Sequence, residues 1–154
     1  MKKVPAKDLF LLVKEAVDNG QQTTFQVTGS SMLPFLGGDR DYVTVEKREY
    51  SLIKKGDIVL FYSTEGNYIL HRVYRKEPDK CQTMGDGNDF WDTVIEPGQI
   101  IASVVSVIRK GRKIDCRSFT WRLFSWMWRK GWRIRGPLLW LMRRTASMKN
   151  KMKR

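Results

Sequence analysis

A chain of 154 residues is long enough to form one domain with a buried hydrophobic core. Its hydrophobic residues (42%) and charged residues (29%) are in the proportions of a globular protein, which excludes wholesale disorder. The net charge of +13 is unevenly distributed. Residues 109–154 hold 16 Lys and Arg against one acidic residue, whereas residues 1–108 hold 13 against 15. The body of the chain is therefore near neutral, and the basic charge belongs to the C-terminal segment.

The sequence has few residues that bind metals or form disulfides. Two cysteines, Cys81 and Cys116, are too few for a disulfide framework, and a single His excludes a metal site built on several His or Cys ligands. We therefore expect neither a metal nor a cofactor. The N-terminal apolar stretch is interrupted by Lys14 and Glu15, unlike a signal peptide, and no run of about 18 uncharged apolar residues is present to span a bilayer.

Hydrophobic periodicity divides the chain into an N-terminal helical region (1–20), a mainly β core (21–110) and a basic, aromatic tail (111–154). The helix is predicted over 5–18, where apolar residues recur at helical spacing before an Asn-Gly stop. Six strands rich in Val, Ile, Tyr, Phe and Thr are predicted at 22–28, 41–47, 57–63, 67–75, 80–84 and 100–108. Residues 58–61 are continuously apolar and suit a strand buried on both faces. This spacing predicts a small folded sheet or barrel and not a βαβ fold.

The tail combines aromatic residues with positive charge. Residues 117–144 contain five of the six Trp, and their spacing predicts an amphipathic helix. The polar stripe of this helix is formed by Arg122, Ser125, Arg129 and Arg133. Phe124, Met127 and Trp128 mark its broad apolar face. Gly136-Pro137 is predicted to end the helix before a second short apolar piece at 138–142. The β core is therefore expected to carry amphipathic helices at its C-terminal end.

A turn with the sequence Thr-Gly-Ser-Ser-Met-Leu-Pro, residues 28–34, follows the first predicted strand. A serine hydroxyl becomes a nucleophile only where a base takes its proton and where backbone N–H groups face the developing oxyanion. Gly29 gives this turn backbone freedom, and Pro34 fixes its exit. The alternative interpretation of the Gly-Ser-Ser sequence is an ordinary surface turn.

Two later segments carry residues for acid–base chemistry. His71 is the sole His and lies inside a predicted strand, where its imidazole is a candidate general base. Residues 84–92 contain Asp86, Asp89 and Asp92 beside two glycines. A calcium loop is not supported, because the downstream Glu that such a loop needs is missing. The simpler interpretations are a hydrogen-bonded strand His and an Asp-rich turn.

The order of these segments is more informative than any one of them. A Gly-x-Ser-Met-x-Pro turn is followed by a Gly-Asp-Ile-Val strand at 56–59, an Ile-Leu-His-Arg-Val strand at 69–73 and a Gly-Asp-x-Asn turn at 85–88. This order, which covers roughly half of the chain, resembles the type I signal peptidase superfamily. With His at the position of the base, the chain resembles the archaeal, endoplasmic-reticulum and sporulation-type branch. Bacterial housekeeping enzymes and self-cleaving SOS repressors use Lys as the base. The resemblance implies a β peptidase core that cleaves leader or signal segments from precursor polypeptides.

The resemblance also implies a role for each motif residue. Ser31, directly before Met32, matches the family nucleophile, and His71 matches its base. The implied mechanism is attack of Ser31 on a peptide carbonyl through an acyl-enzyme, with the Ser31 backbone N–H helping to bind the oxyanion. The turn residues expected to contact the substrate are Gly29, Ser30, Met32 and Pro34.

The third member of the implied triad is less closely defined. Asp92 matches the position at which the His-type branch carries its orienting acid. Asp86 is a second catalytic candidate, expected to hold the loop, and Asp89 is a third. The chain departs from the family pattern at Gly29, where many relatives carry a hydroxyl that assists the oxyanion hole. It also lacks an N-terminal membrane helix and room for a large second β-domain.

Three interpretations of the tail remain open: a hairpin packed on the core with its Arg face in solvent, an interfacial membrane anchor, and a nucleic-acid-binding segment. The membrane anchor is favoured, since Trp prefers the headgroup zone and Lys and Arg pair with anionic lipid. The residues expected to meet the membrane are Trp121, Arg122, Trp126, Trp128, Arg129 and Trp132. Nucleic acid ranks below it, because the Trp residues lie on a helix and not on a sheet platform. We expect peripheral membrane association, with the cytoplasmic face favoured and the side left open.

Two functions compete with a processing peptidase. One is a regulatory relative that cuts only itself, although too few residues precede Ser31 for a DNA-binding domain of the SOS-repressor kind. The other is a vestigial peptidase core that acts as a membrane- or nucleic-acid-binding protein.

Overall fold

The structure is a computed structural model that describes residues 5–152, without the side chains of residues 132, 133 and 145–152. It consists of a seven-stranded antiparallel sheet with one helix before it and two after it. The strands are β1 (Thr23–Gln26), β2 (Asp41–Glu46), β3 (Ile58–Tyr62), β4 (Tyr68–Lys76), β5 (Cys81–Met84), β6 (Ile100–Arg109) and β7 (Arg112–Asp115). The helices are α1 (Ala6–Asp18), α2 (Phe119–Lys130) and α3 (Trp132–Met152), and short 3-10 turns lie at Tyr50–Leu52 and Pro97–Gln99. The predicted fold class is confirmed.

The six predicted strands are present, and a seventh lies in the segment assigned to the tail. β7 pairs with β6 through a two-residue turn in which Lys110 and Gly111 both have positive φ, 49° and 74°. Such turns match the right-handed twist of the flanking strands. The sheet therefore continues to Asp115, beyond the predicted core boundary at residue 110.

The sheet is open, so the barrel alternative is not formed. Its strand order is β1-β2-β6-β3-β4-β5. One edge of β6 pairs with β2, and the other pairs first with β3 and then with β7. The sheet is nevertheless strongly folded. β1 and β4 lie far apart in the strand order, yet Ser31 in the turn after β1 contacts His71 on β4.

The third strand separates two hydrophobic clusters. Ile58 and Leu60 belong to one cluster, and Val59 and Phe61 belong to the other. All four side chains are buried, as predicted for a strand covered on both faces. Since Val59 is paired with His71 on β4, the two side chains share a face of the sheet, and the residue after His71 points to the opposite face.

Helix α1 bridges the space between β1 and β4. Phe10 packs edge-on against Phe25 of β1, at 5.4 Å between ring centroids, and stacks on Tyr68 of β4 at 4.9 Å. Val13 and Val17 are buried in the same cluster. The amphipathic pattern of α1 thus has a structural use, because its apolar side joins two strands that are not hydrogen-bonded to each other.

The predicted helix break in the tail is wrong. The break lies at Gly131, which caps α2, and Pro137 lies inside α3. Since the first residues of a helix have no intrahelical acceptor for their N–H groups, a proline just after the first turn removes a single backbone hydrogen bond. Gly131 instead ends α2, with its N–H donated to Met127 O at 2.8 Å.

Part of the polar stripe of α2 faces the core, whereas a hairpin packed only for hydrophobic burial would turn it to solvent; Arg122 of this stripe is exposed. Ser125 is buried and accepts a hydrogen bond from Arg72 of β4 at 2.9 Å. Arg129 is half-buried, and the Arg133 side chain lies outside the described residues. Large apolar side chains of α2 lie on its exposed side. The inward side of the helix thus combines Ser125 with Trp121 and Trp128, which pack against Phe35.

A buried carboxylate at the start of β2 fixes the chain that follows the turn carrying Ser31 (the serine turn, residues 28–36). Asp41 accepts hydrogen bonds from Arg109 Nε at 2.7 Å, from the Arg40 side chain and from the Gly37 N–H. Burial by itself raises the pKa of Asp41, but these hydrogen bonds outweigh burial and lower it below its ordinary value of 3.8. The carboxylate therefore holds residues 37–41 as a turn against the sheet.

We expect Asp41→Asn to lower the free energy of unfolding by about 1–3 kcal/mol at neutral pH, since an amide keeps fewer of these charge-assisted bonds. Because the pKa of Asp41 is lower in the folded state, its stabilisation is complete above pH 3.8 and is lost as the pH falls through the folded value. Urea unfolding at several pH values should therefore show the two proteins converging in acid. Asp39→Asn, at an exposed neighbour, is the control, and an equal effect there would contradict the assignment.

Candidate active site

Ser31 lies in the compact turn that follows β1. Gly29 has a φ of +77°, which favours glycine, and its carbonyl accepts from the Gly38 N–H at 2.9 Å. Met32 is 3% exposed and anchors the turn in the first hydrophobic cluster. The Leu36 N–H donates to Met32 O at 2.9 Å. The turn is therefore fixed on both sides of Ser31, whose own side chain is half-buried.

The imidazole of His71 connects a hydroxyl to a carboxylate. Its Nδ1 lies 2.6 Å from Asp92 Oδ2, and its Nε2 lies 3.1 Å from Ser31 Oγ. A carboxylate only accepts hydrogen bonds, so the proton of a neutral His71 belongs on Nδ1. The lone pair of Nε2 then faces the Ser31 hydroxyl. This is the geometry by which a base takes a proton from a serine nucleophile.

Asp92 is held by neighbours on β5. Thr83 Oγ1 donates to Asp92 Oδ2 at 2.7 Å, and the Asp92 N–H donates to the Thr83 carbonyl at 3.0 Å. Gln82 Nε2 donates to the Asp92 carbonyl at 3.3 Å. A threonine donor on the same oxygen that binds His71 fixes the direction of the carboxylate, as in other sites where a third group orients the base.

The loop after β5 packs directly on the backbone of the serine turn. The Gly87 N–H donates to the Ser31 carbonyl at 2.7 Å. A Cβ added to Gly85 would collide with that carbonyl oxygen and would lie 2.9 Å from His71 Nε2. One added to Gly87 would lie 2.7 Å from the Ser30 carbonyl oxygen. Both glycines are therefore required by close approach of two chain segments, not only by turn geometry.

Asp86 does not contact His71. Its carboxylate forms a fully buried ion pair with Arg72, in which Nε and Nη2 donate at 2.7–2.9 Å. Burial, followed by the neighbouring Asp86, raises the pKa of Tyr74, so the protonated Tyr74 hydroxyl donates to Asp86 Oδ1 at 3.1 Å. Of the two acids predicted to be catalytic, Asp92 contacts the base and Asp86 holds the loop; Asp89 is exposed.

Helices α2 and α3 hold the same loop from outside. Arg135 Nη2 is buried and donates to the carbonyls of Asp86 at 2.8 Å and Asn88 at 3.2 Å. Trp128 Nε1 donates to the Asp86 carbonyl at 3.1 Å, and Arg143 donates to the Gly87 carbonyl. These contacts were not predicted from the sequence. Arg72 lies in the Ile-Leu-His-Arg-Val strand motif, but no pattern in the tail indicated which helix residues would contact Arg72 or the loop after β5.

Two cavities meet at Ser31 and His71. The larger, about 380 Å³, extends toward Asn88, Phe90 and Asp92. The smaller, about 300 Å³, is lined by β1 and by the side of α1 that carries Phe10. The Ser31 hydroxyl therefore lies between two clefts, each of which His71 also lines.

The residues expected to contact substrate lie in different surroundings. Met32 lines the smaller cavity, whereas Gly29 and Ser30 are exposed on the turn. Pro34 lines a separate groove against α2 and α3.

The residues expected to meet a membrane divide into two groups. Trp121 and Trp128 pack against Phe35 of the serine turn, and Arg129 is half-buried. Trp126 and Arg122 are exposed, and the Trp132 side chain lies outside the described residues. The first group packs toward the core, so the expectation that Trp121, Trp128 and Arg129 meet a membrane does not fit their place in the structure.

The chain matches no protein-family model and no curated protein. Among the described residues, no group of three His, Cys, Asp or Glu side chains is placed to share a metal ion. In the same part of the chain, none of the helices combines the length and the apolar character needed to cross a bilayer.

We expect Gly85→Ala to separate the loop from Ser31 and His71, because neither backbone nor ring has room for a methyl group. Because His71 is the only His, ring-nitrogen NMR of ¹⁵N-histidine-labelled protein should show a changed imidazole environment. The free energy of unfolding should fall by about 1–3 kcal/mol, as in other overpacked sites. Gly98→Ala is the control, since open space surrounds that position. Unchanged His71 signals in Gly85→Ala would refute the close approach.

Proposed function

We propose that this protein is a serine endopeptidase that cleaves leader or signal segments from precursor polypeptides. The observation that carries the proposal is the hydrogen-bonded chain from Ser31 Oγ through the His71 ring to Asp92 Oδ2. The same three residues follow one another in the motif order that resembles the His-type signal peptidases. The geometry supports the chemistry, and the motif order supports the substrate class.

The first half of the reaction forms an acyl-enzyme. Ser31 Oγ attacks the carbonyl carbon of the scissile peptide as its proton passes to His71 Nε2. The resulting imidazolium is stabilised by Asp92 through Nδ1–H. When the tetrahedral intermediate collapses, the C–N bond breaks and His71 returns the proton to the leaving amine. The acyl group remains on Ser31 as an ester.

The second half repeats these steps with water. His71 takes a proton from water, whose oxygen attacks the ester carbonyl, and the proton then returns to Ser31 Oγ as the C–O bond breaks. The oxyanion in both halves is expected to bind the backbone N–H of Ser31. Since Gly29 offers no hydroxyl, oxyanion stabilisation falls to backbone groups or solvent. The cavities on either side of Ser31 give the substrate chain space to extend in both directions.

The competing functions receive less support. A vestigial core does not require the ring of His71 to be oriented by a carboxylate that is itself oriented by Thr83. A protein that cleaves only itself is distinguished by experiment: a mass measurement on incubated protein would detect a shortened chain.

We expect Ser31 to react with a serine-directed acylating probe such as a fluorophosphonate, and Ser31→Ala to lose the label. Ser30→Ala, one residue away and exposed, should keep it. Precursor cleavage should fall by about 10⁶-fold in Ser31→Ala and in His71→Ala, since the members of such a triad act as a unit. Labelling that persists in Ser31→Ala, or cleavage unchanged in either variant, would eliminate the mechanism.

Asp92→Asn should lower kcat by about 10⁴-fold with little change in KM, because an amide favours the wrong tautomer of the catalytic imidazole. Asp89→Asn, at an exposed acid in the same segment, should leave kcat unchanged. Steady-state kinetics on both variants, with circular dichroism to show that each is folded, distinguishes the orienting acid from its neighbours. Equal losses in the two variants would remove Asp92 from the proposed triad.

A further inference from the structure

We propose that the outer side of the α2–α3 hairpin docks on the surface of an anionic lipid bilayer. This outer face is defined by its exposed apolar side chains, namely Phe119, Leu123, Phe124, Trp126, Met127, Ile134, Leu138, Trp140 and Leu141. Monomeric proteins rarely expose this many large apolar side chains on two adjacent elements without a partner for them.

The direction in which the helices are docked is the first argument. An amphipathic helix on a soluble core normally buries its apolar side. Here Ser125 of α2 and Arg135 of α3 are buried against the core, held by Arg72 and by the carbonyls of the loop after β5. Exposure is 61% for Phe124 and 51% for Trp126. The helices are thus fixed by these polar contacts together with Trp121, Trp128 and the buried Leu139, which leaves the remaining large apolar side chains free to meet another apolar phase.

The charge around the outer face is the second argument. A cavity of about 330 Å³ beside Trp126 is lined by the cations Lys55, Arg122 and Arg129. Within the described residues, the buried Nε of Arg129 has no hydrogen-bond partner. The cations that line the cavity can donate charge-assisted hydrogen bonds to a phosphate oxygen of a lipid headgroup. Asp57 also lines this cavity, so the cations outnumber the carboxylate.

The composition of the face selects lipid among possible occupants. A second copy would bring together two segments that each hold 16 basic residues and one acidic residue, which repel each other. Nucleic acid would leave Leu123, Ile134 and Leu141 without an apolar partner. A bilayer surface offers anionic headgroups to the Arg and Lys side chains, an interface preferred by Trp, and acyl chains for the aliphatic residues.

A groove continues the face between the two helices. It has a volume of about 540 Å³, and Phe124, Met127, Ile134 and Leu138 on its rim are exposed. Its floor includes Phe35 and Trp128, and Trp128 donates to the loop that packs on Ser31. The helices that would meet lipid are therefore the ones that hold the catalytic loop.

The test is flotation of the full chain with vesicles of phosphatidylcholine alone or mixed with phosphatidylglycerol, which requires no cleavage and so succeeds or fails independently of the peptidase activity. We expect binding to the phosphatidylglycerol vesicles that weakens as salt is added. A Phe124→Ser/Trp126→Ser/Trp140→Ser variant should bind at least about tenfold less, because it loses three interfacial aromatic anchors. The matched control is Leu11→Ser/Leu12→Ser/Leu52→Ser, which removes three exposed apolar side chains outside the hairpin.

The charge argument has its own pair of variants. Lys55→Gln/Arg122→Gln/Arg129→Gln should lose most of the preference for phosphatidylglycerol, whereas Lys7→Gln/Lys110→Gln/Lys113→Gln, with the same loss of charge at exposed positions elsewhere, should keep it. Equal vesicle binding by wild type and by the Phe124→Ser/Trp126→Ser/Trp140→Ser variant would overturn the proposal. Binding to a single-stranded oligonucleotide in place of vesicles would also overturn it. A dimer in analytical ultracentrifugation that the Phe124→Ser/Trp126→Ser/Trp140→Ser variant abolishes would do the same.

Discussion

The buried ion pair between Arg72 and Asp86 connects every part of this structure that bears on the site. Arg72 is the strand residue directly after His71, and Asp86 lies in the loop that packs on Ser31. Ser125 of α2 accepts from the same guanidinium. Removing one partner of a buried pair typically costs about 3–5 kcal/mol, since the other charge is left without compensation. The ion pair therefore ties the loop after β5 and helix α2 to the strand that carries His71.

The strands were predictable because their signals are local. Val, Ile, Tyr and Phe runs divided by Gly, Asp and Pro mark six of the seven strands, and the continuous apolar run at 58–61 is buried on both faces as predicted. β7 was missed because its sequence, Arg-Lys-Ile-Asp, has a single apolar residue and its pairing depends on the Lys110-Gly111 turn. The choice between barrel and open sheet was not predictable, because curvature and closure depend on contacts between distant strands.

The site was partly predictable for a different reason. Ser31, His71 and Asp92 were named from motif order, and the structure places Ser31 and Asp92 each within hydrogen-bond distance of His71. The residues that hold them were not identified. Gly85 and Gly87 read as ordinary turn glycines, whereas the space beside them is filled by the backbone of the serine turn. Close approach between segments more than fifty residues apart in sequence has no local signature.

The tail shows why an amphipathic pattern does not by itself predict which side is buried. Helical spacing separates polar from apolar residues, but the face that meets the core depends on what the core offers. Here the core offers the carbonyl groups of a tight loop, which accept hydrogen bonds from Arg135 and Trp128 and would find no donor on aliphatic side chains. Hydrogen bonds of this kind help to hold the helices while most of their large apolar side chains stay exposed. The same contacts make the loop after β5 sensitive to the helices, since a displacement of α3 withdraws the Arg135 donor from the carbonyls of Asp86 and Asn88.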